Sequence, residues 1–137
     1  MDEFAVHANH NHTFYEMVCK EHPDTFFDWK IIALFYVSFH YLQALAKHRK
    51  KNIGTHHVDI NNNIRSGNPS AAMPISNTAF KNYMYLFQYS RTARYDGIVD
   101  MTVFQKLRKA DHDHACKCFR DFRKYIITSG VKLEETK

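Results

Sequence analysis

Apolar residues recur along most of this chain at intervals of three and four, the spacing of helical faces, and seldom alternate as strand residues do. Over residues 3–20, Phe4, Ala8, Tyr15, Val18 and Cys19 fall roughly on one side of a helix. HPDT (22–25) breaks that run: Pro23 cannot continue a helix, Asp24 can cap the next one, and Asp28 sits in its first turn. The second helix, about 25–50, is apolar nearly all round, as the central helix of a bundle would be. A narrower stripe along it holds Trp29, Tyr36, His40, Gln43 and Lys47. KNIG ends it, with Gly54 as the left-handed stop. Thr55 caps a short third helix carrying Val58, Ile60 and Ile64, to about Arg65. SGNPSAAMPIS (66–76) is a loop, and Ser76 caps the fourth helix. DGIVD (96–100) is a turn, from which a fifth helix runs to about Ser129, stopped by Gly130. Its apolar stripe reads Val103, Leu107, Ala110, His114, Cys118, Phe122 and Tyr125. The pattern predicts an all-α, up-and-down bundle of four to five helices, one domain over 1–130, with a frayed tail at 131–137.

Composition supports that reading and adds a charge. Only four glycines and three prolines in 137 residues leave few turns, which favours long helices. Apolar residues make up 45% of the chain and aromatics 15%, enough for a core without staples. The formal charge of +5, before any of ten histidines is protonated, suits RNA or DNA as partner, and equally a plain basic surface. The longest uncharged stretch, IIALFYVSFHYLQALA (31–46), has 16 residues including Ser38, His40 and Gln43. A bilayer span needs roughly 20, so the stretch reads as a buried helix and no membrane is expected. Three cysteines, an odd number, and an opening that is acidic then polar (MDEFAVHANH) lead to an expected reducing, cytoplasmic setting.

The chemistry begins where the fourth helix ends. Phe80, Tyr83, Met84 and Phe87 share a face, and on a regular helix Arg91 and Arg94 lie within about 60° of Phe80. A stripe of aromatics therefore finishes in guanidiniums. They either complement the helix C-terminus along an apolar surface or form a forked anion site with Tyr95 and Asp96 beside them. HDHACKC (112–118) contains four metal-ligand types, but on a helix only His112 with Cys116, or His114 with Cys118, can share a face. No zinc and no cofactor are expected, and His114 is read as a satisfied residue on the core stripe. The opposite face of the fifth helix carries Lys106, Lys109, Lys117, Arg120, Arg123 and Lys124, either a phosphate track or a solvated face. No Gly-rich phosphate loop, GxSxG, HExxH or usefully spaced carboxylate pair is present. A metal-free ribonuclease remains open, since it needs only cations and acid–base groups around a 2′-hydroxyl.

DWKIIALFYVSFHYLQAL, THH and YLFQYSRTARYDG, in that order, resemble a HEPN domain over about residues 25–129. The family's long helix pattern falls on Asp28, Trp29, Ala33, Leu34, Phe35, Tyr36, His40, Ala44 and Leu45. Its Thr-His falls on Thr55 and His56, and its helix ending on Arg91, Ala93, Arg94 and Tyr95. The resemblance implies a four- or five-helix bundle, usually a homodimer, that works on RNA or a nucleotide. Many such domains are metal-independent endoribonucleases of toxin–antitoxin or phage-defence systems, so an antitoxin or a nucleotidyltransferase-type protein is a partner to consider. The family's usual Arg, four to six spacers and His do not follow Arg91 or Arg94 here. If the chain cleaves RNA, the resemblance points to His56 or His40 as base. Arg91 and Arg94 would then stabilise the phosphorane-like charge, Tyr95 would orient the phosphate, and the product would carry a cyclic phosphate. The alternative is a non-catalytic HEPN-like binding or dimerisation module acting as partner of another subunit.

Overall fold

A computed structural model describes residues 2–96 and 109–134, with the side chains of Tyr95 and Asp96 left out. Among the described residues the chain is all-α, with five helices and no strand: α1 (Glu3–Glu21), α2 (Phe27–His48), α3 (His57–Asn63), α4 (Asn77–Arg91) and α5 (Lys109–Thr128). Residues 97–100 of the predicted turn and the first part of the fifth helix, with Val103, Lys106 and Leu107, lie outside them.

Side-chain contacts fix the directions of the helices. Lys47, near the end of α2, reaches Asp2 and Glu3 before and at the start of α1, so these two run antiparallel. Tyr83 meets Phe122 while Tyr89 meets His114, so α4 and α5 also run antiparallel. The four long helices thus form an up-and-down bundle around α2. Ile31, Leu34, Phe35, Val37, Tyr41, Leu42 and Leu45 of α2 are fully buried, as its all-round apolar pattern predicts. Trp29, placed on an α2 stripe, is 60% exposed, although Lys30 beside it is buried.

Several boundaries differ from the sequence expectation for identifiable reasons. Asp24 does not cap α2; Phe26 occupies the N-cap position in the left-handed region (φ 58°), with no side-chain cap. The α1–α2 corner is closed by Lys30 instead. Its Nζ donates to the His22 carbonyl at the end of α1 and lies 4.8 Å from the Phe27 ring centre, with only 1% of the residue exposed. Gly54 does not stop α2 either. The stop is Lys50 (φ 56°), and Lys51 N–H to Ala46 O (2.8 Å) with Lys50 N–H to Lys47 O (3.1 Å) completes a Schellman motif. Thr55 gives way to His56 at the N-cap of α3, again without a side-chain bond. Ser76 does cap α4, accepting from Ala79 N–H at 3.2 Å.

On α5 the buried face is His112, Ala115, Cys118, Phe119, Phe122 and Ile126. Ala110 is exposed and His114 half-buried, because from Ala110 to Phe122 the predicted stripe steps only by four and drifts about 40° per step. Gly130 stops α5 as predicted (φ 101°), with Val131 N–H bonded to Ile126 O. The segment after it is not frayed through residue 134. Val131 and Leu133 are buried, Asn9 Nδ2 donates to Leu133 O at 2.6 Å, and Glu134 pairs with Arg123 at 3.0 Å. No described helix is long and apolar enough to cross a membrane.

Candidate functional site

The end of α4 does not stop cleanly. Thr92–Asp96 continue it as a π-helical turn, whose wider i→i+5 winding changes the angle between successive side chains. The two arginines that a regular helix would keep on one stripe are separated by it: Arg91 is exposed and Arg94 turns inward, half-buried. Arg94 Nη1 donates to the Tyr36 hydroxyl at 2.8 Å, and its Nε faces the Ser90 carbonyl at 3.4 Å. The guanidinium carbon lies 5.5 Å from the Phe35 ring centre and 5.3 Å from that of Tyr36. A planar cation is thereby fixed against two aromatic faces and one hydroxyl.

Phe35, fully buried, is the hub of this corner. Its ring centre is 5.7 Å from those of His57, Tyr83 and Phe87. His57 is also 5.5 Å from Phe39 and 5.6 Å from Phe87, so the imidazole is set in an aromatic wall. Burial, then the charge of Arg94 and that of His56, hold its pKa below the usual 6.5, leaving the ring neutral at pH 7. Three polar atoms around the hub are buried without a hydrogen-bond partner among the described residues: His57 Nδ1, Tyr83 Oη and Ser90 Oγ. Arg94 and Tyr36 are both close enough to Tyr83 to act on its titration, although burial dominates and pushes that phenol up. Unsatisfied buried groups are rare enough that three beside one arginine mark a polar corner in an otherwise apolar bundle.

The sequence-predicted residues divide accordingly. Arg94 lies in the corner and Arg91 at its open edge; Tyr95 has its backbone in the π-helical turn. His40 is turned toward α1 instead, with its ring stacked on His7 at 4.0 Å and Nδ1 3.0 Å from Gln43 Oε1; burial lowers its pKa. His56 is exposed at the N-cap of α3. The histidine of the corner is His57, which the sequence reading passed over. Its signal was present: His57, Ile60 and Ile64 stand at i, i+3 and i+7, the buried face of α3.

The basic face of α5 is present as a second cationic region. Lys109, Lys117, Arg120 and Lys124 are exposed, while Arg123 is half-buried and bonded to Tyr41 Oη (3.3 Å) and Glu134. Lys109 pairs with Asp113 at 3.4 Å. Phe119, Arg120, Arg123, Lys124, Ile127 and Thr128 line a shallow groove along this face, an apolar floor with a cationic rim. The His–Cys run splits as helical geometry requires, His112 Nε2 with Cys116 Sγ at 3.3 Å and His114 Nε2 with Cys118 Sγ at 3.7 Å. His114 is satisfied by the Tyr89 hydroxyl (2.8 Å), although His112 is the more buried of the two. Among the described residues no three His, Cys, Asp or Glu side chains are arranged to hold a metal ion. Comparison with protein-family models, curated proteins and solved structures returns no match.

Proposed function

We propose that the chain is a HEPN-like helical domain that binds RNA, or a nucleotide, at the Arg94 corner. One observation carries this reading: a guanidinium is fixed by Tyr36 and Phe35 beside a neutral His57, in a polar corner with three unsatisfied buried atoms. The Arg94 guanidinium is the group that would donate to a phosphate oxygen. The exposed cations of α5 add a sequence-independent attraction for the rest of the strand. Exposed Phe14, Met17, Phe26 and Trp29 support the homodimer that the resemblance implies, and three free cysteines suit a reducing, cytoplasmic setting. Light scattering at micromolar concentration should give twice the chain mass; the mass of a single chain would remove the dimer.

RNA cleavage is the second reading, favoured by His57. Its ring is held neutral, the form a general base needs, and no described partner fixes its tautomer. The 2′-hydroxyl would give its proton to the His57 ring as it attacks phosphorus. The P–O5′ bond then breaks, the 5′-oxygen takes a proton from solvent, and a cyclic phosphate remains. Fluorescence anisotropy with a labelled single-stranded oligoribonucleotide, with chelator present and product ends analysed by mass, tests both readings. Binding supports the first, and cyclic-phosphate ends that are lost in His57→Gln support the second. Absence of binding at low salt would end both.

A further inference from the structure

The groove that Phe119, Arg120, Arg123, Lys124, Ile127 and Thr128 line along α5 has a volume of about 470 Å³. From Phe119 to Thr128 it follows about 14 Å of helix. Its open apolar surface is aliphatic. Ile127 is 44% exposed, whereas Phe119 is 7% exposed, its ring already stacked on His12 at 5.4 Å and on Tyr41 at 5.9 Å. Arg120 and Lys124 stand exposed along the rim, and Arg123 is paired with Glu134 at 3.0 Å. The Asp121 carboxylate belongs to a separate depression shared with Ala79 and Asn82 of α4.

We propose that this groove docks an acidic amphipathic helix of a partner protein, with aliphatic side chains over Ile127 and carboxylates against Arg120 and Lys124. An apolar floor between cations is complementary to a surface of the opposite pattern, apolar along its centre and acidic at its edges. The length fits as well: anchors at i, i+3 or i+4 and i+7 span about 10 Å of a docked helix. The chain makes the same kind of contact with itself. Past Gly130 the tail buries Val131 and Leu133 and lays the Glu134 carboxylate on Arg123 at the edge of the groove.

A single-stranded nucleic acid matches the rim but not the floor. Its bases stack on exposed aromatic rings, and the Phe119 ring is already engaged by His12 and Tyr41. Phosphates can meet Arg120 and Lys124 from outside without filling the space over Ile127. A docked acidic helix takes those two cations out of the field proposed above for RNA, so partner and RNA compete for this face. The fit of helix to groove does not depend on RNA binding at Arg94.

The test is fluorescence anisotropy with a labelled peptide of leucine, alanine and glutamate, about 18 residues long so that it holds a helix, with leucines at i, i+3, i+4 and i+7. A peptide of the same composition in shuffled order is the control, and backbone amide shifts of the folded chain locate the contact. The ordered peptide should bind about tenfold more tightly than the shuffled one, with shifts centred on the groove. Ile127→Glu sets a like charge against it and should weaken it about tenfold or more. Arg120→Gln combined with Lys124→Gln should weaken it about fivefold, and Lys117→Gln, outside the groove on the same helix, less than about twofold. If Ile127→Glu does not fold, Lys124→Glu, at an exposed position, serves in its place with the same expected loss. Equal binding of the two peptides, shifts centred elsewhere, no binding at low salt, or a loss from Lys117→Gln equal to that of the double variant would each overturn the proposal. So would a loss of single-stranded RNA affinity in Ile127→Glu as large as its loss of peptide affinity, which would give the floor to nucleic acid.

Discussion

Arg94 and Arg120 carry the same guanidinium, and in the sequence both belong to basic, helical stretches. The structure treats them as different devices. Arg94 is half-buried on a π-helical turn, tied to Tyr36 and laid against Phe35, so its direction is fixed before any ligand arrives. Arg120 is exposed on a regular helix, among Lys117 and Lys124, where water and salt screen it. The first arrangement suits a directed contact with one phosphate, and the second supplies a field that acts on many. A count of basic residues cannot distinguish them, because the difference lies in what surrounds each side chain.

The contrast can be broken most severely at the hub. Phe35→Ala removes a fully buried ring that touches Tyr36, His57, Tyr83 and Phe87. Urea denaturation should show a loss of about 3–5 kcal/mol. Lys117→Ala, on the exposed face, should stay within about 0.5 kcal/mol of the parent. Equal losses would remove the distinction between the two regions.

Acid should act on the buried imidazoles of the bundle, those of the corner included, and spare the exposed α5 lysines. His12, His40, His57 and His112 are all held below 6.5 in the folded state, burial being the first cause in each. The unfolded chain therefore binds more protons just below pH 6.5, so stability is fully present above that value and falls as pH drops through the folded pKa values. Urea midpoints should be level between pH 7 and 8 and lower at pH 5, with a shallower decline in His57→Gln. A level profile down to pH 5 would show that these rings are not buried in their neutral form.

The smallest effect on the fold belongs to the basic face. Changing Lys117, Arg120 and Lys124 together to glutamine should leave stability within about 0.5 kcal/mol. It should flatten the dependence of log affinity for single-stranded RNA on log salt by about 2 if all three meet phosphates. An unchanged slope would mean that this face is only solvated.

Helix positions were legible in the letters because periodicity and the Ser76 and Gly130 signals are local. The corner was legible only in part. Tyr36 and Arg94 could be named, but the choice of His56 over His57 followed a motif instead of the buried face of α3. The expectation that Arg91 and Arg94 share a stripe assumed regular α-winding, and the π-helical turn at Thr92–Asp96 broke that assumption. Caps at Asp24 and Thr55 failed because Lys30 closes the first corner through a contact eight residues back, and His56 takes the N-cap of α3 without a side-chain bond. The tail beyond Gly130 read as frayed because neither its contact with Asn9 nor that of Glu134 with Arg123 has a local signal.

The most direct test compares Arg94→Gln with Arg91→Gln by anisotropy on the same oligoribonucleotide, with melting curves for both. A charged hydrogen bond to phosphate is worth about 1.5–3 kcal/mol, so Arg94→Gln should weaken binding tenfold or more while remaining folded. Arg91→Gln should change affinity by less than about threefold, as an exposed cation does. Lysine at position 94 should restore binding only in part, because it keeps the charge and loses the planar fork. Equal losses from the two glutamine variants, or parental binding by Arg94→Gln, would contradict the account.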